Sequence, residues 1–251
     1  MKALTLIAVL ALAIFTVPVL SVAAETESDA DRWQFVGELY MWAPAINGED
    51  VAGDDFEITF NDILDNLDLT FMGKLAAVKG KWSLIGDLIY MDLNQDISGT
   101  ANIIGRPENT EADITLKASI ATLLGGYSVF ENESIKVEVL AGARYLNLEV
   151  DAKFDLGSFE TKISESGHNW DGIVGLAGRI NLTPKWFLSC YADVGSGDSE
   201  LTWQAQGAAG YRFDKLDAVF GYRHLDYEFD NPEVIDNMNI SGPFAGIRYH
   251  F

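Results

Sequence analysis

Asn239-Ile240-Ser241-Gly242-Pro243-Phe244-Ala245-Gly246-Ile247-Arg248-Tyr249-His250-Phe251 closes the chain. The stretch alternates apolar and mixed residues, the period-two pattern of a strand whose faces meet different surroundings, and it stops on an aromatic end. At the other end, Lys2 precedes an apolar run from Ala3 to Leu20, and Val22-Ala23-Ala24 lead into the acidic Glu25-Thr26-Glu27. A charged start, an apolar middle and a small-residue exit form the layout of a cleavable export signal. We expect residues 1–24 to be a signal peptide, 25–31 a short periplasmic segment and 32–251 a barrel domain. A retained transmembrane helix is the weaker reading, since only Lys2 flanks the run and a cleavage site follows it. After Ala24 no apolar stretch is long enough to cross a membrane as a helix. The two ends together point to an all-β fold: a membrane-spanning antiparallel up-and-down β-barrel in the bacterial outer membrane, exported through the periplasm. Its last strand, ending at Phe251, would be offered to the barrel-assembly machinery.

Composition does not decide between a barrel and a soluble domain, because 48% hydrophobic and 22% charged residues suit either. Periodicity separates them better. Trp82, Leu84, Gly86, Leu88 and Tyr90 share one parity, opposed by Ser83, Ile85, Asp87 and Ile89. From Ile135, the apolar set Val137, Val139, Ala141, Ala143 and Tyr145 is opposed by Lys136, Glu138, Gly142 and Arg144. From Leu201, the set Trp203, Ala205, Gly207, Ala209, Tyr211 and Phe213 is opposed by Thr202, Gln204, Gln206 and Arg212. Trp82 and Tyr90 bracket one strand and Trp203 and Tyr211 another. That spacing corresponds to roughly 20 Å of height on a tilted strand, close to the apolar band of outer-membrane barrels. Trp33, Trp186, Tyr249 and Phe251 would join the periplasmic aromatic girdle, and Tyr145, Trp170 and Tyr222 the outer one.

Segments of this kind recur near 32–42, 69–79, 82–93, 114–130, 135–148, 169–182, 185–195, 201–213, 216–225 and 239–251, giving about ten strands; eight or twelve also fit. An even number puts both ends on the periplasmic side. Residues 79–81, 131–134, 183–185 and 214–215 read as short turns; 43–68, 94–113, 149–168 and 226–238 read as long outer loops, with 196–200 a short one. Those outer segments hold twenty-four acids against Arg106, Lys153 and Lys162, so the whole net charge of −21 falls on one side. Nucleic acid is an unsuitable partner for such a surface. The partners implied are outer-membrane lipid and lipopolysaccharide, with divalent cations at the acidic loops bridging its phosphates, or basic ligands drawn to them; solubility and self-repulsion of the loops is the preferred reading of the charge.

The polar parity gathers opposite charges in the lumen. Glu38, Asp87, Glu138, Asp171, Asp193 and Asp217 would face Lys74, Lys117, Lys136, Arg144, Arg179, Arg212, Arg223 and Arg248. An unpaired charge there is costly, so these groups are expected to pair and close the lumen; a narrow diffusion channel is the alternative.

Catalysis is the third reading and is not expected. His224 with Asp226 is the best acid–base pair, placed on one strand face by its two-residue spacing, with Glu228 and Asp230 continuing the row. His168 falls in a loop and His250 at the periplasmic rim. No His-x-Ser signature of lipid A deacylases and no omptin constellation is present. Cys190 is the single cysteine, which removes disulfides and cysteine zinc clusters, and its parity points it to lipid. We expect no cofactor and no metal centre.

Several motifs carry a resemblance. Tyr40-Met41-Trp42-Ala43-Pro44, residues 60–68 and Phe71-Met72-Gly73, then Val174-Gly175-Leu176-Ala177-Gly178-Arg179, Ala192-Asp193-Val194-Gly195, Thr202-Trp203-Gln204, Gly210-Tyr211-Arg212-Phe213, Gly221-Tyr222-Arg223 and Ser241-Gly242-Pro243 resemble a group of proteobacterial outer-membrane β-barrel proteins with no assigned activity. More distantly the chain is similar to small opacity-protein and OmpA-type barrels. The resemblance implies fold and location. Where such relatives continue Asp-Val-Gly with glycine and aromatic residues, this chain has Ser196-Gly197-Asp198.

One segment breaks the strand pattern. In residues 60–68, Phe60, Ile63, Leu64 and Leu67 share a helical face, with Asn61 or Asp62 as the cap. A short amphipathic helix in the first outer loop is expected, either as a lid over the barrel mouth or as a packed loop.

Overall fold

The computed structural model describes residues 32–50, 53, 55–65, 67–103, 106–155, 160–230 and 235–251. The signal-peptide reading (1–24) and the segment 25–31 lie outside the described residues. Twelve strands follow one another: β1 (Gln34–Trp42), β2 (Ala45–Asp50), β3 (Asp55–Ile58), β4 (Leu67–Lys79), β5 (Trp82–Ile103), β6 (Arg106–Glu131), β7 (Ile135–Asp155), β8 (Glu160–Asn181), β9 (Trp186–Gly197), β10 (Ser199–Arg212), β11 (Leu216–Phe229) and β12 (Ile235–His250). Among the described residues a single helix, α1 (Phe60–Asp65), lies between β3 and β4. Among the described residues no helix is long and apolar enough to cross a membrane.

Ten of these strands close a barrel. β1 is followed by β4 and then by β5 to β12 in order, all antiparallel, and β12 pairs back onto β1 from Val36↔His250 to Trp42↔Phe244. Closure gives every wall strand a partner on both sides through the body of the barrel and removes the free edges that an open sheet exposes there. We call the end that carries β1's first residues and Phe251 the terminal end, and the other the hairpin end. Turns at the terminal end are tight; in the one between β4 and β5, Gly80 takes φ 57°, where a side chain is disfavoured.

β2 and β3 stand outside the ring. β1 pairs with β4 only as far as Leu39↔Gly73. Beyond it, Trp42 turns inward, Pro44 interrupts the strand, and β2 takes over the place beside β12, from Ser241↔Ala45 to Ile235↔Asp50, with β3 on its far side. The crossing is tight: Ala43 N–H donates to the Pro243 carbonyl at 2.9 Å, and a Cβ on Gly242 would stand 2.1 Å from the Ala43 oxygen.

The segments that read as loops at 94–113 and 149–168 are mostly paired strand. β5 and β6 stay in register to Ile103↔Arg106, and β7 and β8 to Asp155↔Glu160. β8 meets β9 only from Asp171↔Gly197 downward. The β5–β8 wall therefore stands roughly 35 Å along the strand beyond that point. Alternation continues along these extensions, with Ile97, Ala101 and Ile103 against Asp96, Ser98 and Asn102, and Val150, Ala152 and Phe154 against Asp151, Lys153 and Asp155, as paired strands with two different faces require.

α1 is shorter than the 60–68 expected, and its cap is Thr59 instead of Asn61 or Asp62. The Thr59 hydroxyl accepts from Asp62 N–H at 3.3 Å, while the Asp62 carboxylate accepts from Thr59 N–H at 2.9 Å and from its hydroxyl at 2.6 Å. This reciprocal box terminates the helix start, and it holds the Asp62 carboxyl below the usual range through the Thr59 hydroxyl first and the Thr59 N–H second. From α1, Ile63 is buried in the core with Trp42, Ile46 and Met72.

Candidate functional site: a layered lumen

Register fixes which side chains enter the barrel. Even residues point inward on β1, β4, β6, β7, β10 and β12, and odd ones on β5, β8, β9 and β11, as the buried rows show. Outward rows carry Leu39, Leu75, Leu84, Leu123, Val174, Leu176, Phe220 and Ile247, all exposed. Apolar side chains standing this way around a closed ring are what a barrel wall in lipid presents. Ring pairs edge the wall: Trp33 with Phe35, Trp82 with Tyr127, Trp186 with Tyr211 and Tyr249 with Phe251 at the terminal end, and Tyr145 with Trp170 towards the other. Phe35 and Tyr127 are additions to the girdle residues read from sequence. Tyr90 and Tyr222 lie on the outward parity of their strands, and Trp203 stacks on His224 at 4.4 Å.

The interior has three layers. At the hairpin end, Ile89, Met91, Ile120, Leu146, Leu225, Tyr227, Met238 and Ile240 fill the barrel with apolar volume, and Ile63 of α1 joins them. Below them lies a layer of buried polar groups. Arg144 reaches across to Asp193 at 2.5 Å and donates to the Thr202 hydroxyl at 3.2 Å, and both ion-pair side chains are fully buried. Tyr191 donates to the same Asp193 carboxylate. Asp171 accepts from Ser199 N–H and hydroxyl, each at 2.9 Å. Arg223 donates twice to Gln204, at 3.1 and 2.7 Å, reaches Asp87 at 3.2 Å and lies over the Trp42 ring at 4.9 Å; Tyr40 donates to Asp87 at 2.7 Å.

The third layer is a chamber of about 280 Å³ toward the terminal end. Glu38 accepts from Arg248 at 2.6 Å, Glu138 pairs with Lys136 at 3.2 Å, and Lys74 sits 3.8 Å from Asp87. Asp217 stands among Arg179 at 3.7 Å, Arg212 at 3.9 Å and His250 at 3.0 Å. Arg179 lies flat over Phe187 at 3.7 Å.

Thirteen of the fourteen charges assigned to the lumen from sequence, Glu38, Lys74, Asp87, Lys136, Glu138, Arg144, Asp171, Arg179, Asp193, Arg212, Asp217, Arg223 and Arg248, stand on the inward parity or among these groups. Lys117 is the correction. It lies on the odd, outward parity of β6, opposite Asp92 of β5, while its neighbours Ala118 and Ile120 fill the interior. Its strand is apolar on the inward side at that level, so the polar parity is the outward one there. Tyr40, Tyr191, Thr202 and Gln204 belong to the network without having been expected in it. The inward parity of their strands identifies them, but only the register across the barrel says which charge each one meets.

His224 and Asp226 face outward, 3.9 Å apart, with the Asn239 amide 3.0 Å from each. Cys190 is likewise exposed on the outer wall. Among the described residues no cluster of metal-ligating side chains occurs.

No family model matches the chain, and no curated protein matches it. Among solved structures, the translocator domain of autotransporter NalP from Neisseria meningitidis is similar at 14% identity with a TM-score of 0.48, covering 87% of this chain and 88% of that one. The outer membrane protease OmpT from Escherichia coli is similar at 13% identity with a TM-score of 0.46, covering 90% and 99%. The attachment invasion locus protein Ail of Yersinia pestis is similar at 12% identity with a TM-score of 0.38, covering 88% and 99%.

Proposed function

We propose that this chain is an integral outer-membrane barrel that passes no solutes and acts through what it presents outside the membrane. The observation that supports the closed lumen is the stacking of two different barriers in series. An apolar layer through Leu225, Tyr227 and Ile120 sits above a buried ionic layer through Arg144–Asp193 and Arg223–Asp87. A solute crossing it would have to displace close-packed side chains and break paired charges in a low-dielectric interior, each step costing on the order of several kcal/mol. The exported face is the β5–β8 wall and the β2–β3 hairpin beside β12, both rich in acids in the sequence, as suits contact with lipopolysaccharide through divalent cations or with basic partners. The terminal strand β12 would deliver the chain to the assembly machinery, and the outward His224–Asp226 pair serves as part of the aromatic edge, without a catalytic role.

Refolding the mature chain into planar lipid bilayers and recording current tests this. Folded, heat-modifiable barrels that stay silent are the expected result. Discrete conductance steps that change size in Arg144→Ala or Glu138→Ala would overturn the closed lumen in favour of a narrow diffusion channel.

A further inference from the structure

The chamber at the terminal end nearly balances its charges on paper, yet its surface does not. Lys74, Lys136, Arg179 and Arg248 line it, and a fifth cation, Arg212, stands next to them beside Asp217. Four carboxylates partner them: Glu38, Asp87, Glu138 and Asp217, of which Asp87 is shared with the fully enclosed Arg223. The side chains of the five cations are 19–41% exposed, whereas those of the four carboxylates are only 0–15% exposed. Glu38, Asp87 and Glu138 line the chamber as well, but the side chains of the cations beside them are the more exposed.

Geometry adds to the imbalance. Arg179, Arg212 and Arg248 converge on the Phe187 ring, at 3.7, 6.0 and 6.0 Å from its centre. A single carboxylate, Asp217, stands near Arg179 and Arg212, at distances beyond ordinary hydrogen bonding, while Arg248 is taken by Glu38. Arg179 Nε and Nη2 are buried and, among the described residues, have no hydrogen-bond partner. Three guanidinium groups gathered around one aromatic ring, with few carboxylates in hydrogen-bonding reach, suit an oxyanion. So many exposed cationic side chains in one place stand out in a chain of net charge −21.

We propose that the terminal-end chamber is a binding site for a small phosphate-type anion, either free in the periplasm or as the headgroup of an anionic lipid. The site lies below the barrier layers and does not depend on whether they conduct. Arg212 and Lys136, the most exposed of the five cations, are the groups a ligand can engage at least structural cost.

The test is thermal unfolding of the refolded barrel in non-ionic micelles, titrated with inorganic phosphate at ionic strength held constant with sodium chloride. A second arm titrates short-chain phosphatidylglycerol into the same micelles. A saturable rise in unfolding temperature is expected in at least one arm. Half-saturation should move about tenfold or more higher in Arg212→Gln/Lys136→Gln, since removing a charge-assisted hydrogen bond weakens binding by roughly that factor. Lys215→Gln, on the β10–β11 turn, should leave it unchanged. A response to soluble phosphate identifies a free anion, and one confined to phosphatidylglycerol identifies a headgroup. No saturable response of the unmodified barrel in either arm overturns the site, whether or not the double variant folds. A response that the folded double variant retains in full overturns it equally.

Discussion

The two ends of the lumen are built from the same ten strands and the same inward rows, and they differ completely in chemistry. On β11, Asp217 stands at the terminal end and Arg223 in the middle, with Leu225 and Tyr227 above them. On β7 the same ascent runs from Lys136 and Glu138 through Arg144 to Leu146. A membrane barrel of this width has no obligation to keep a wet interior along its whole height. Where the inward side chains are large and apolar they pack as a soluble protein's core does, and where they are charged they need partners or water. The hairpin end took the first course and the terminal end the second, with the buried ion pairs marking the boundary.

The largest test of that contrast is at the boundary. Arg144→Ala leaves Asp193 buried without its cation and should cost about 3–5 kcal/mol in urea unfolding followed by tryptophan fluorescence. Lys136→Ala, which breaks the partly exposed pair with Glu138, should cost under about 1 kcal/mol. Equal losses would mean that the chamber is as dry as the layer above it. Next comes the apolar layer itself, where Leu225→Ala removes a side chain with no exposed surface and should cost about 2–5 kcal/mol. A loss below about 1 kcal/mol would show that the layer collapses freely or admits water. A smaller effect is expected where the chamber is walled off by Phe187. A Cβ on Gly210 would stand 2.0 Å from that ring, which Arg179 covers on one face, so Gly210→Ala should cost about 1–3 kcal/mol, read from the same unfolding curves.

The smallest effect concerns α1 above the apolar layer. The Asp62 carboxyl is held low in the folded chain, so its contribution to the helix start is complete above the ordinary aspartate pKa and fades as pH falls through the lowered folded value. The Ile63 amide, which donates to the Thr59 carbonyl at 3.0 Å, should then lose hydrogen-exchange protection in acid, and Thr59→Ala should remove that pH dependence. Protection that is flat with pH in both proteins would show that burial of Ile63 alone holds the helix.

Much of this is legible in the chain, for reasons that can be named. A strand in lipid must show an apolar row outward, so Trp82 to Tyr90 and Leu201 to Phe213 reveal themselves by alternation, and each of the ten wall strands can be located that way. The same reasoning is not carried far enough above the membrane, where 94–113 and 149–168 read as loops although they are paired and still alternate, Val150, Ala152 and Phe154 standing against Asp151, Lys153 and Asp155. It fails at Lys117, because a charged residue is taken to seek the lumen when the lumen at that height is apolar. The helix start is misplaced for a local reason: both Asn61 and Asp62 are good caps in isolation, and the reciprocal bonds that select Thr59 exist only once the backbone has turned.

The sequence by itself determined which side chains share a row, because a strand's two-residue period needs no knowledge of its neighbours. It also determined that opposite charges would have to meet inside, because isolated ones could not be buried. Only the tertiary structure decided the partners. Arg144 finds Asp193 and Thr202 from strands far along the chain, Arg223 finds Asp87 and Gln204, and Arg179 lies over Phe187, each fixed by the stagger between strands as the ring closes. That stagger is a property of the whole ring and is encoded in no single strand. Which charges pair and which side chains stay exposed to the chamber follows from it, and with them any ligand the chamber holds.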